Sequence, residues 1–391
     1  MSDSRLIALR YPNRTMAARL SELWDDGFAA LPLSPSLSGA EMRALLDALK
    51  PDLIEDESGA TELSGGVPVA DGVAVVIPTS GASGRPKGVE LSHEALDWSA
   101  RAYAERLGTE PGERWLNCLP LSHIGGLGIL VRSRLGGTEP VIHDRFDPGA
   151  VAAEKETTLI SLVPTTLVRL MDAGVDLSRY SAVLVGGAGL PAAIKDRARI
   201  AGIRLVHTYG LTETCGGCNF DGVPLEGAEF RVADELIQVR GPMLMTGYRR
   251  DPELTAEALQ GGWLHTSDRG RIDSRGVLEV FGRADDLIVT GGEKVSAVEV
   301  ENLLQTHPLV ADAAVAGVDD YRWGQAVAAL IVPRGTSVPT LRELKRFLSG
   351  RLAAFKAPKR ILIVDEVPRT ASGKVRRQAV RDLLESSEVS G

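Results

Sequence analysis

The segment Pro78-Thr79-Ser80-Gly81-Ala82-Ser83-Gly84-Arg85-Pro86-Lys87-Gly88 constrains this chain more than any other. It follows Val73-Ala74-Val75-Val76-Ile77, a β-branched apolar run that reads as a buried strand. Glycine lets backbone N–H groups come close to a polyphosphate. Ser and Thr add hydroxyl donors, and Arg85 and Lys87 bring charge. A Walker A loop would place Gly directly before Lys and Ser or Thr after it; here Pro86 precedes Lys87 and Gly88 follows. The pattern therefore predicts an α/β protein that holds a phosphorylated ligand on a different kind of loop. The bland alternative is a basic surface loop.

A chain of 391 residues has room for one large domain and one small one. With 44% hydrophobic and 25% charged residues it is globular rather than disordered. A net charge of −8 and a pI near 5.5 argue against a broad nucleic-acid surface, so anionic ligands must be met by local cations. Residues 1–5 carry no basic segment leading into an apolar one, and no apolar run approaches the roughly 18 residues of a membrane span. The expectation is a cytoplasmic protein with no membrane insertion. Three cysteines do not make a disulfide framework. Cys215 and Cys218 form one C-x-x-C without a second pair, short of the about four ligands that zinc takes.

Periodicity predicts an amphipathic stretch at 16–28 and a helix at 41–49. A further helix is expected at 92–107, capped by Ser92 and apolar at Leu96, Ala100, Tyr103 and Leu107. A strand from Trp115 then meets Pro120 and His123 before an apolar helix that carries Gly126 and Arg132. A lone His is more often structural, but strand-to-helix transitions are where ligands bind in α/β folds. Arg132 in an apolar helix requires an anion, either a substrate or a structural ion-pair partner. Strands at 159–163 and 181–186 around a helix at 165–173 predict a parallel, wound sheet. Gly187-Ala188-Gly189-Leu190-Pro191-Ala192 matches G-x-G-x-x-A and raises a rival reading, an NAD-dependent dehydrogenase. The next strand, 204–207, leads instead into Thr208-Tyr209-Gly210-Leu211-Thr212-Glu213, with no ribose-binding carboxylate at the required place. Glycine-punctuated strands between 229 and 281 suggest a small antiparallel subdomain. After Asp285-Asp286 come Leu287-Ile288-Val289, Gly291-Gly292, a helix at 298–304, strands at 311–318 and 325–333, a helix at 340–353, a strand at 361–364 and a last helix, enough for a small α+β domain.

The 79–88 loop resembles the signature T-S-G-T-T-G-x-P-K-G of the adenylate-forming superfamily of acyl-CoA synthetases, luciferases and adenylation domains, with Ala82 and Ser83 where two threonines are usual. The likeness covers about residues 73–380. It implies an α/β fold whose large N-terminal domain (1–282) has wound mixed sheets plus a small β subdomain. A hinge at 283–286, pivoting on Asp285, would lead to a small mobile α+β C-terminal domain (287–391). Only about 77 residues precede the loop, around half the superfamily's usual number, which implies a reduced first subdomain.

The resemblance also implies ATP, Mg²⁺ and CoA as ligands, with CoA a cosubstrate. It assigns Thr79, Ser80, Gly81, Ala82, Ser83, Gly84 and Lys87 to the ATP phosphates, Gly187, Ala188, Gly189, Tyr209 and Gly210 to adenine, Asp268 to the ribose hydroxyls and Arg283 to ribose and phosphate. Thr212 would meet the α-phosphate and Glu213 would hold Mg²⁺. The acyl site would comprise His123, Gly126, Arg132, Thr214, Cys215 and Gly216, and the thiol channel Gly291, Gly292 and Lys294. Lys374, in Pro368-Arg369-Thr370-Ala371-Ser372-Gly373-Lys374, would be the catalytic cation. The partners implied are a small carboxylic acid, ATP and CoA, with a homodimer left open. The features run nearest to ligases that act on an aromatic dicarboxylate in quinone biosynthesis; Arg132 or the Thr214–Gly217 backbone would meet its second carboxylate. The alternatives are a CoA ligase for another aryl or fatty acid, an enzyme that loads a carrier protein, and an ATP-binding regulatory module.

Overall fold

The computed structural model describes residues 5–80, 86–370 and 373–386, with all side chains but those of Ser80, Asp285 and Lys294. The chain forms two compact units. The first takes Met1–Gly187, Ala198–Arg231 and Gln238–His265, and the second Ala188–Arg197, Val232–Ile237 and Thr266–Gly391.

In the first unit, β1 (Leu6–Arg10), β2 (Ala29–Pro32), β3 (Leu53–Asp56), β4 (Gly59–Glu62), β5 (Val73–Ser80) and β6 (Pro86–Ser92) share one sheet, with Gly247–Tyr248 added antiparallel to the β6 edge. Helices α1 (Asn13–Asp25) and α2 (Gly39–Leu49) cross between its strands. The core beneath it gathers Leu6, Ala8, Leu31, Leu49 and Val76, all 1% exposed or less. Four of these strands, β1 to β4, lie in the stretch where sequence periodicity suggested helices alone. Leu6-Ile7-Ala8-Leu9 is a short buried run, whereas Gly59–Glu62 is exposed and polar, and its antiparallel partner β3 imposes the strand.

Helix α3 (His93–Leu107) starts where Ser92 Oγ accepts from Ala95 N at 3.1 Å, and it ends on Gly108 in the left-handed region. The second sheet follows: β7 (Trp115–Asn117), α4 (Ile124–Leu135), β8 (Val141–Ile142), α5 (Pro148–Ala153), β9 (Leu159–Leu162), α6 (Pro164–Asp172), β10 (Ala182–Val185), α7 (Ala192–Ile200), β11 (Leu205–Leu211), β12 (Gly216–Phe220) and β13 (Val223–Pro224). Its strand order is β13-β12-β11-β10-β9-β7-β8. The pairs from β8 to β11 are parallel, as the strand–helix alternation predicts, and β12 and β13 turn back antiparallel. β11 thus runs on through Tyr209 into a hairpin. It does not stop at a ribose-binding acid, so the glycine turn at 187 lacks the rest of a dinucleotide fingerprint. The hairpin is tight: a methyl group on Gly210 would sit 1.8 Å from the Gly216 carbonyl oxygen, a backbone atom that cannot yield.

The chain passes between the units along β14 (Glu229–Ala233), β15 (Leu236–Arg240) and, after β16 (Gly247–Tyr248), α8 (Pro252–Ala258) and β17 (Leu259–Gln260), along β18 (Trp263–Ile272). Within the second unit β18 pairs antiparallel with β19 (Leu278–Arg283). Then come β20 (Leu287–Thr290), β21 (Glu293–Ser296), α9 (Ala297–Leu304), β22 (Val310–Asp320), β23 (Gly324–Pro333), α10 (Leu341–Leu348), β24 (Arg360–Ile363) and α11 (Arg377–Ser386). Strand alternation splits this sheet's side chains between two cores. Val315, Val327, Ala329 and Ile331 face α9 and α10, while Ala314, Ala316, Ala328 and Leu330 face α11. Each fully buried Leu or Val contributes about 1.5–3 kcal/mol. Among the described residues no helix is long and apolar enough to cross a membrane.

Candidate functional site

The predicted phosphate loop is flanked by two paired strands. β5 and β6 pair with Pro78 opposite Gly88 and Thr79 opposite Lys87, so the strand reading of 73–77 extends to the loop's shoulders. Gly81, Ala82, Ser83, Gly84 and Arg85 lie outside the described residues. Lys87 Nζ stands 5.2 Å from the centre of the Tyr248 ring, and Tyr248 Oη donates to Glu213 Oε1 at 2.8 Å. The Glu213 backbone is held as well, its carbonyl accepting from Met245 N at 2.8 Å. The loop stem and the predicted metal-binding carboxylate are therefore joined through one phenol. Sequence reading missed Tyr248, whose position depends on Gly247–Tyr248 pairing with β6 far away in the chain.

Tyr209 lies on β11 with its ring 6.2 Å from that of Phe230, and Gly210 follows in the tight hairpin. Gly187, at φ 82°, ends the first unit's run beside β10, whereas Ala188 and Gly189 belong to the second unit. Thr212 and Glu213 open a single 3-10 turn directly after β11, both partly exposed. Thr214 closes that turn. It is fully buried, and its hydroxyl accepts from Leu211 N at 2.8 Å and donates to Gly216 O at 2.8 Å, so it is spent on the backbone rather than on a substrate.

The acyl residues fall at the start of α4 and against the β11–β12 hairpin. His123 is the residue before α4, partly exposed, with its carbonyl accepting from Gly126 N and Leu127 N. Gly126 is needed for packing: a methyl group there would lie 2.4 Å from the Pro120 carbonyl oxygen. Arg132, one turn and a half further on, folds back along the helix so that its Nη1 would be 3.2 Å from a methyl on Gly128. Its guanidinium sits between two rings, 4.4 Å from Tyr103 and 4.6 Å from Trp115. Nε is buried without a hydrogen-bond partner, and Nη2 reaches Ser161 Oγ at 3.5 Å.

Among the described residues no carboxylate pairs with Arg132, so the structural ion pair that was its bland alternative is absent. Burial lowers its pKa below the ordinary arginine value and raises that of Tyr103. The Tyr103 hydroxyl also lies against Gly217, 2.5 Å from where a methyl group there would sit, so the two candidates for a second substrate carboxylate, Arg132 and the 214–217 backbone, meet at one phenol. Cys118, Cys215 and Cys218 are free, buried thiols. Burial pushes Cys118 and Cys218 up to about 12, and Cys215 upward as well.

In the second unit, Asp268 and Arg283 stand directly opposite each other across the β18–β19 ladder. Asp268 is 7% exposed and Arg283 exposed. Gly291 (φ 60°) and Gly292 (φ 85°) form a two-residue turn between β20 and β21, where positive φ at both positions demands glycine. Gly291 N donates to Trp323 O at 2.8 Å, and a methyl there would meet the indole at 2.7 Å. Lys294 lies on β21; its side chain, and that of Asp285 in the short turn after β19, are outside the described part. Lys374 is exposed. Its carbonyl accepts from Thr370 N at 2.8 Å and its amide donates to Thr370 Oγ1 at 3.1 Å.

The family model described as AMP-binding enzyme matches residues 44–249, and the one described as AMP-binding enzyme C-terminal domain matches residues 299–374. A probable 2-succinylbenzoate–CoA ligase of Mycobacterium tuberculosis is 41% identical over 343 residues, 83% of this chain and 88% of that protein. The o-succinylbenzoate CoA synthetase (MenE) of Bacillus subtilis, solved with the acyl-adenylate intermediate OSB-AMP, superposes with a TM-score of 0.87 at 29% identity over 97% of this chain and 88% of that one. The same enzyme solved with ATP and magnesium ion gives a TM-score of 0.86 at 29% identity, covering 97% and 89%.

Proposed function

This chain belongs to the AMP-binding enzyme family, and we propose that it is an AMP-forming acid–thiol ligase that activates 2-succinylbenzoate with ATP and passes the acyl group to coenzyme A, a step toward menaquinone. The observation that carries the substrate is Arg132. A partly buried guanidinium clasped by Tyr103 and Trp115, with no carboxylate partner among the described residues, leaves a charge that an acid with a second carboxylate would satisfy. The names of the relatives agree with a dicarboxylate of this kind.

Carboxylate and ATP are both anions, so the barrier to joining them is largely charge repulsion, and preorganised cations lower it. Lys87 and residues 79–84 hold the leaving pyrophosphate, Thr212 meets the α-phosphate, and Lys374 supplies the positive charge between carboxylate and α-phosphate. Gly187, Ala188, Gly189 and Gly210 border adenine while Tyr209 stacks on it. Asp268 and Arg283, paired across one ladder, hold the ribose. Glu213 fits Mg²⁺, a cation that takes oxygen ligands: one carboxylate oxygen is fixed by Tyr248 and the residue is partly exposed. The bound ion would supply neutralisation of phosphate charge. His123 and Gly126 line the acid's reacting end. No nucleophilic side chain is required, in keeping with thiols that burial holds protonated. The segment 283–286 is the proposed hinge, with Asp285 its pivot, and Gly291, Gly292 and Lys294 face the thiol in the second step. In this reading the enzyme works in the cytoplasm.

Pyrophosphate release measured over a panel of carboxylic acids, with and without CoA, tests the proposal. Release with 2-succinylbenzoate, and formation of its thioester on adding CoA, is the expected result. Preference for a monocarboxylate would refute the substrate, and release without thioester formation would point to another acceptor.

A further inference from the structure

We propose that Arg369, locked to Asp312, is the positioning residue that sets the backbone from which Lys374 is presented; this rests on the catalytic reading of Lys374. Arg369 Nη2 lies 2.9 and 2.8 Å from the two Asp312 carboxylate oxygens, while Nη1 donates to the carbonyl of Gly373 at 2.9 Å. One guanidinium thus ties the peptide that enters Lys374 to the body of the second unit. Asp312 is itself held. Its Oδ1 accepts from Gln305 Nε2 at 3.0 Å and from its neighbour Ala313 N at 2.9 Å, and it stands just past a register shift in β22 between Val310 and Asp312. Such a bulge re-aims a side chain out of the regular alternation. β22 is a firm base, paired with β23 along its whole length and packed on both faces.

The remaining polar backbone groups at Lys374 are also spent. Thr370 takes its amide and carbonyl, Gly373 N donates to Thr370 O at 2.8 Å, and Arg376 N donates to Pro368 O at 2.9 Å. Gly373, at φ 82°, permits the turn. The Lys374 backbone N and O are therefore both held while the side chain is exposed; Val375 packs against the α11 core, and the Arg369–Asp312 ion pair ties the loop to β22. A flexible side chain delivers charge to within a hydrogen bond only if its Cα is placed, and a shift of about 1 Å can cost about 100-fold in rate. Lysine cannot replace this arginine, because a single ammonium lacks the planar fork that spans a carboxylate and a carbonyl together.

The test separates the two half-reactions in full-length protein: pyrophosphate release with acid and ATP, and thioester formation from supplied acyl-adenylate and CoA. Lys374→Ala should lose the first and keep the second. Arg369→Gln should lower kcat of the first about 10- to 100-fold with KM for ATP unmoved, Asp312→Asn should lower it less, Arg369→Lys should not rescue it, and all three should leave the second unchanged. If Arg369→Gln does not fold, Asp312→Asn decides, since the amide keeps the shape and removes the charge. Equal loss of both half-reactions, or an unchanged first half-reaction in folded variants while Lys374→Ala has lost it, overturns the positioning role and leaves the catalytic reading standing. Full pyrophosphate release by Lys374→Ala overturns both.

Discussion

A side chain whose own chemistry the fold leaves incomplete is a candidate for contact with a ligand. Arg132 is such a residue. Burying it against Tyr103 and Trp115 takes away solvent without supplying a counter-ion, a cost the fold would shed if the position had no use. A hydrogen bond to a charged group contributes about 1.5–3 kcal/mol. Arg132→Ala should therefore lower kcat/KM for 2-succinylbenzoate about 10- to 100-fold and leave a monocarboxylate such as benzoate almost unaffected. Equal losses for both acids would show that Arg132 supports the fold and not the second carboxylate. Tyr248 offers a second check. Its phenol fixes one oxygen of Glu213, and groups that orient a metal ligand are worth about 10- to 100-fold in metal affinity. In Tyr248→Phe the Mg²⁺ concentration needed for half-maximal pyrophosphate release should rise by that order, with the ring still beneath Lys87; an unchanged Mg²⁺ dependence would remove Glu213 from the metal site.

At the scale of elements, what the sequence disclosed followed from how local each signal is. Helix α3 announced itself through Ser92 and the spacing of Leu96, Ala100, Tyr103 and Leu107, all settled within one element. Arg132 was conspicuous as a charge in an apolar helix. By contrast, β4 is exposed and polar, β16 is two residues long, and both are strands because distant partners pair with them. Tyr248 was illegible for the same reason. The expected helix at 340–353 is shorter, Leu341–Leu348, and its start shows a local signal fully used: Thr340 Oγ1 accepts from Glu343 N, and the Glu343 carboxylate accepts from Thr340 N at 2.8 Å. Those bonds, the backbone one foremost, hold the Glu343 carboxyl below its ordinary 4.5. A carboxyl depressed in the folded state adds stability that is complete above 4.5 and is lost as pH falls through the folded value. Glu343→Gln should accordingly flatten the acid side of the stability curve below about pH 4.5 and leave the thermal midpoint at pH 7 lowered only slightly, because the group is exposed to solvent. A wild-type slope retained by Glu343→Gln would assign the acid loss to other carboxylates.

For the molecule as a whole, the division into two units is a statement about cores. Leu116, Leu127 and Ile160 are buried in the first unit; Val300, Leu304, Val315, Ile331, Leu344 and Leu348 form a closed cluster in the second, and α11 covers a further one. Domains with their own cores unfold as separate cooperative steps unless a large apolar interface couples them. On the proposed mechanism, Lys374 would serve acyl-adenylate formation and then make way for a thiol, which such independence would favour. Calorimetry of the full chain should show two transitions. Leu344→Ala, which removes a fully buried side chain between α10 and the sheet, should cost about 2–5 kcal/mol and lower one of them alone. A single transition that Leu344→Ala lowers as a whole would mean that the two cores unfold as one.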